Sequence, residues 1–265
     1  MKYFLFALFI FHGLALAEDC IQCDQNTSTP LPTPPLEWPL ELIKIEPKTY
    51  ERNLDVDYCK RPTEMIDTIV LHHSETFSTT TPEMINDIHL DNKWHMVGYS
   101  YVINTPYSGN KTPTPVVSEG RPIDFVGSHA GKDIFVPMNA DQKKMWDDGK
   151  VVCGFEGSEF KVDPSILKDG NIKANVTTIG VVVVGNYSPF SASNPNGYRR
   201  GKTRNPTKQT LDMVARLSCQ LQKKYPNIKN IKWHNYYHST SCPGNIKKYI
   251  GQIISQARSY GCEFQ

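Results

Sequence analysis

The chain reads as an α/β domain, with a mixed central β-sheet flanked by helices on both faces. Two runs, Ile69-Val70-Leu71 and Ile179-Gly180-Val181-Val182-Val183-Val184, have the near-continuous apolar character of strands covered on both sides. Around them lie stretches whose apolar residues recur about every three or four positions, as in amphipathic helices. Strands alternating with helices give a layered α/β architecture.

At the N-terminus, Lys2 precedes a short apolar run from Phe4 to Phe11, and Ala15-Leu16-Ala17 offers a small-residue cleavage site. Residues 1–17 read as a secretory signal peptide, too short in its apolar core to span a bilayer. Glu18 and Asp19 before Cys20 argue against a lipid anchor, and no later stretch approaches membrane-spanning length. An exported, periplasmic or extracellular protein with no integral membrane segment is expected. Residues 18–44 form a Cys- and Pro-rich linker, in which Pro30, Pro32, Pro34, Pro35 and Pro39 favour an extended tether. The Cys20/Cys23 pair, with no strand before it or helix after it, reads as disulfide-forming rather than as a redox motif.

Residues 45–265 have the composition of one globular domain, expected to act as a monomer. A formal charge of +2 gives no basic footprint for nucleic acid. Asp67 to Ser74 is a buried strand ending in His72 and His73. Thr81-Pro82-Glu83 supplies a cap, a proline at the first helical position and an early acid. Met84, Ile85, Ile88 and Trp94 then recur at helical spacing as the face expected to cover the sheet. Residues 97–104 form a strand with Tyr99 and Tyr101 on one face, and a turn-rich stretch leads to another strand near 116–119. Asn205-Pro206-Thr207 opens a helix burying Leu211, Val214, Leu217, Leu221 and Tyr225. A last helix is marked by Ile246, Tyr249, Ile250 and Ile253.

The chain is organised around Trp233-His234-Asn235-Tyr236-Tyr237-His238-Ser239-Thr240-Ser241-Cys242-Pro243-Gly244. A strand into His234, a loop, and a helix opening at Pro243 would bring an imidazole and a thiolate to one cation, and zinc accepts both. One histidine of the His72/His73 pair could be the third ligand. The competing reading is a core strand ending in ordinary histidines, with Cys242 merely buried or disulfide-bonded.

Taken together and in order, several stretches resemble the type 2 zinc-dependent N-acetylmuramoyl-L-alanine amidases, a group that includes phage amidases and the peptidoglycan recognition proteins. They are Ile69-Val70-Leu71-His72-His73-Ser74, Val97-Gly98-Tyr99-Ser100-Tyr101, Ser118-Glu119-Gly120-Arg121, Gly127-Ser128-His129-Ala130-Gly131, 179–187 and Ser239-Thr240-Ser241-Cys242-Pro243-Gly244. The resemblance implies zinc (Zn2+) held by His72, His234 and Cys242, with the fourth tetrahedral position open. It implies Tyr99 and Thr240 as catalytic hydroxyl donors to the developing oxyanion, and His89, Arg121 and His129 as substrate-binding or cleft residues. For His73 and His238 a structural role is expected.

The implied activity is hydrolysis of the amide between N-acetylmuramic acid and L-alanine in peptidoglycan. The alternatives are a non-catalytic peptidoglycan-binding receptor and a thiol-disulfide protein built on Cys20 and Cys23. Receptor members typically lose the ligand cysteine, and this chain retains Cys242. Two features depart from the family pattern. Val182 stands where some bacterial members carry a glutamate base, and residues 132–176 form an insertion beside the site. Of the seven cysteines, Cys242 on zinc leaves Cys20, Cys23, Cys59, Cys153, Cys219 and Cys262, enough for three disulfides. Asn26, Asn110, Asn175 and Asn186 each begin a glycosylation acceptor pattern.

Overall fold

The run Thr-Ile-Val-Leu-His-His becomes β2 (Thr68–His73), with all six residues buried, which is the environment its apolar continuity demands. In the computed structural model the residues described are 43–53, 60–106, 109, 114–130, 151–152, 161–162, 170–188 and 205–265, all within one compact unit, Trp38–Gln265. The signal peptide, nearly all of the linker, and Cys20, Cys23, Cys59 and Cys153 lie outside them.

Around β2 the sheet contains β1 (Ile45–Glu46), β3 (Tyr101–Asn104), β4 (Val116–Glu119), β7 (Thr178–Val183) and β8 (Asn230–Trp233), in the spatial order β1-β4-β3-β7-β2-β8. Only the β3–β4 pair is antiparallel, so the sheet is mixed. A separate ribbon pairs β5 (Val151–Val152) with β6 (Lys161–Val162).

Helices cover both faces. On one face Ile69, Leu71, Val181 and Ile231 pack against α3 (Lys208–Lys224) and α4 (Ile250–Ser259) through Leu211, Val214, Leu217, Leu221 and Ile253. On the other, Val182, Val184 and Val102 meet Ile85 of α1 (Pro82–Asp91), while Val70 meets Ala174 of α2 (Gly170–Thr177). Thr207 caps α3 by accepting from the Thr210 N–H at 3.1 Å, and the Cys219–Cys262 disulfide ties α3 to the C-terminal segment. The helix expected from Pro243 begins as a 3-10 turn, Gly244–Tyr249, after a cis Cys242–Pro243 bond.

Two expectations need correction. Met84 and Ile88 are exposed, at 52% and 43%, and Trp94 lies beyond α1. The buried face of that helix instead includes polar Asn86 and His89, whose side chains accept from the Val97 and Gly98 N–H groups at 2.7 and 2.9 Å. A backbone that enters the core without a ladder partner needs such acceptors, and they outweigh hydrophobic periodicity here. Second, Tyr99 and Tyr101 face opposite sides: Tyr101 joins the α3/α4 core, whereas Tyr99 packs with the α1 cluster. Regular alternation begins only at Tyr101, because Tyr99 and Ser100 precede β3, the Tyr99 carbonyl accepting from the Arg121 N–H and Ser100 bonding Gly180 and Gly120. The segment read as an insertion ends in α2, whose Ala174 packs on Val70 of the sheet.

Candidate metal centre

Parallel register brings the candidate ligands together. His72 pairs with Val182, and Leu71 pairs with Trp233, so His72 and the next residue, His234, emerge side by side at the carboxyl ends of β2 and β8. Their ring centroids are 4.5 Å apart. The chain then loops back and presents Cys242 Sγ 3.6 Å from His72 Nδ1. One ligand atom from each of His72, His234 and Cys242 lies within 4.8 Å of the others. A tetrahedral zinc site, with bonds of about 2.0–2.3 Å, places its ligand atoms roughly 3.4–3.7 Å apart, so the donors need only small adjustments.

Burial tunes these groups for a cation. It depresses the His72 imidazole well below its ordinary value, reinforced by His129, His234 and His73. Burial, then His238 and His73, lowers His234 to about 4. Both rings are therefore neutral at pH 7, as ligation requires. Cys242 is the free cysteine among the described residues. Burial pushes its thiol up to about 12, against an opposing hydrogen bond from the His73 N–H. A cation between a buried thiol and two neutral imidazoles would favour the thiolate, and the donor set fits zinc.

Gly244 makes the cysteine loop possible. Its φ is +62°, and a side chain there would stand 2.3 Å from the Tyr187 carbonyl oxygen. Glu75, at φ +54°, joins the loops by accepting from Ser188 Oγ at 2.8 Å and Ser241 Oγ at 3.2 Å. Its carboxyl falls to about 2, mainly through the neighbouring His73, whose Nε2 is 3.5 Å away, and then through Ser188 and Ser241. His73 Nδ1 accepts from the Tyr187 N–H at 3.1 Å. His73 thus belongs to this scaffold, while His238 is exposed near His234.

Tyr99 lies over the centre, its ring 5.0 Å from that of His72. Burial raises its phenol, with Cys242 and Glu75 adding to the effect, so it keeps its proton. Thr240 Oγ1 accepts from the Cys242 N–H at 3.3 Å, leaving its hydroxyl hydrogen for another partner. Val182 is fully buried and pairs with His72 in the parallel ladder.

His89, Arg121 and His129, expected at the substrate, are 7%, 5% and 6% exposed and engage the protein interior. His89 holds the Gly98 N–H and contacts the Tyr99 ring, 5.5 Å between centroids. Arg121 donates to the Val97, Val126 and Met96 carbonyls. His129 Nδ1 is 3.0 Å from His72 Nε2. Sequence reasoning missed Asn175, whose Oδ1 accepts from the His129 and Ala130 N–H groups, and Arg61, which donates to the Asn175, Val176 and Thr178 carbonyls. Asn175 is fully buried, so its glycosylation triplet is a structural feature of the folded chain. The only sequence signal for Asn175 was that triplet, and Arg61 had none.

A family model described as N-acetylmuramoyl-L-alanine amidase matches residues 61–245. Similar solved structures include the endolysin amidase LysCS from Clostridium intestinale, at 20% identity over 83% of this chain and 98% of that one, TM-score 0.49. Another is the Ph2119 endolysin from a Thermus scotoductus bacteriophage, at 19% identity over 76% and 89%, TM-score 0.45. A third is Drosophila PGRP-LB, at 19% identity over 80% and 94%, TM-score 0.44. No curated protein sequence matches the chain. The family match spans more than half of the chain and contains His72, His234 and Cys242, and the protein belongs to the N-acetylmuramoyl-L-alanine amidase family.

Proposed function

We propose that the protein is an exported, zinc-dependent amidase that hydrolyses the bond between N-acetylmuramic acid and L-alanine in peptidoglycan. The observation that carries this reading is the convergence of the His72, His234 and Cys242 ligand atoms within 4.8 Å. When bound there, zinc supplies Lewis-acid activation of water and of the scissile carbonyl. The chain's own residues do the rest. His72 and His234 present neutral nitrogens, and Cys242 presents sulfur from a loop fixed by Gly244 and Glu75. Tyr99 holds its proton and donates to the oxygen on which negative charge develops, with Thr240 as a second donor. His89 and Arg121 hold the backbone that leads into Tyr99. With valine at position 182, no side-chain carboxylate acts as a base from that site. Among the described residues no helix is long and apolar enough to cross a membrane, which is compatible with action on an external polymer.

The test is digestion of purified peptidoglycan by the zinc-loaded mature protein, scored for newly freed L-alanine amino groups and for new reducing sugar ends. Release of amino groups without reducing ends, abolished by a chelator and restored by zinc, is expected. Binding of wall material without release on several peptidoglycan types would make the protein a receptor.

A further inference from the structure

His129 is buried, and its two ring nitrogens face different partners. Nδ1 lies 3.0 Å from His72 Nε2, and Nε2 lies 3.3 Å from Thr178 Oγ1. Gly127 and Gly180 hold the ring in place. A side chain at Gly127 would stand 2.4 Å from the His129 ring, and one at Gly180 would stand 2.6 Å from it.

The direction of the hydrogen bonds follows from the far end. Thr178 Oγ1 also bonds the Ala174 carbonyl, one helical turn back, and a carbonyl can only accept. The Thr178 hydrogen is therefore committed to Ala174, and Thr178 Oγ1 is an acceptor toward His129. His129 must then carry its hydrogen on Nε2, which leaves Nδ1 as an acceptor. Facing that acceptor, His72 must carry its hydrogen on Nε2, which bares Nδ1, the atom 3.6 Å from Cys242 Sγ.

We propose that His129 is a positioning residue, set by Thr178, that fixes the tautomer and ring orientation of His72 so that Nδ1 is the ligand nitrogen. This rests on the zinc reading above only in naming what Nδ1 binds. A chain of hydrogen bonds thus runs from α2 and the start of β7 through His129 to His72, so the Ala174 carbonyl acts on the centre through two rings. The side chains of Asn175 and Arg61 hold the same corner of backbone.

The tautomers are read first, in metal-free protein, by long-range proton–nitrogen correlation of nitrogen-15-labelled histidines. Hydrogen on Nε2 of both His72 and His129 is expected, and hydrogen on Nδ1 of either would overturn the proposal. Zinc affinity by chelator competition is the second readout. Thr178→Val removes the hydroxyl acceptor without changing side-chain size and should weaken zinc by about 10- to 100-fold, while Thr178→Ser should restore it. In a His129→Leu background, Thr178→Val should add nothing, because its effect travels through the ring. Additive losses, or parental affinity in folded Thr178→Val, would overturn it. If the parent binds no zinc the amidase reading fails, and the tautomer measurement still decides the role of His129.

Discussion

The His73 backbone N–H donates a 3.3 Å hydrogen bond to Cys242 Sγ, while the side chain of the preceding residue presents Nδ1 to the same sulfur at 3.6 Å. Two successive residues of β2 thus hold one thiol by different means, an amide and an imidazole. His73 turns its own ring away, toward Tyr187 and Glu75.

That division of labour predicts which histidine binds metal. His72→Ala, His234→Ala and Cys242→Ala should each lose zinc and activity, whereas His73→Ala should retain most of the zinc. Metal analysis of the purified variants is the check. Loss of zinc from His73→Ala with retention in His72→Ala would invert the assignment.

Thiol chemistry gives an independent check. Alkylation of denatured, metal-stripped but unreduced protein should label Cys242, with Cys219 and Cys262 protected by their disulfide. Replacing both disulfide cysteines with alanine should lower stability by about 2–4 kcal/mol, seen as a lower melting temperature. Recovery of Cys242 in a disulfide by peptide mapping would remove a ligand from the centre.

Tyr99→Phe and Thr240→Ala test the donors apart from the metal. Each should slow turnover by about 10²- to 10³-fold, with zinc content and wall binding nearly unchanged. Equal turnover at matched zinc occupancy would exclude both side chains from the chemistry.

Glu75 predicts a pH dependence in the metal-free protein. Its folded-state value, about 2, is lowered from 4.5 by His73 and by the Ser188 and Ser241 hydroxyls. A depressed carboxyl stabilises the fold above its unfolded value, and that contribution disappears as pH falls through the folded one. The melting temperature of the parent should therefore exceed that of Glu75→Gln near neutral pH, with the gap closing between about pH 4.5 and pH 2. A gap independent of pH over that window would show that the carboxylate charge contributes nothing.

Much of the fold was legible in sequence because it follows from local pattern. The β-branched run at 179–184 had to be covered on both faces. Thr207 and the apolar repeat after it specified a capped helix, and Thr81-Pro82 specified the start of another. The family motifs also marked the residues that converge at the centre. Strand pattern by itself left open which histidine of the pair faces Cys242; the resemblance implied His72, and the tertiary structure supplies the physical reason. Alternate residues of a strand face opposite ways, but the direction of the site depends on where β8 and the Cys242 loop arrive. Only the tertiary structure decided the surroundings of His89, Arg121 and His129, whose partners are backbone groups and rings distant in sequence. The structural roles of Arg61 and Asn175 were illegible for the same reason. Their role is to satisfy buried carbonyls and N–H groups that exist only after α2 packs on the sheet, and such demands leave no periodicity in the chain.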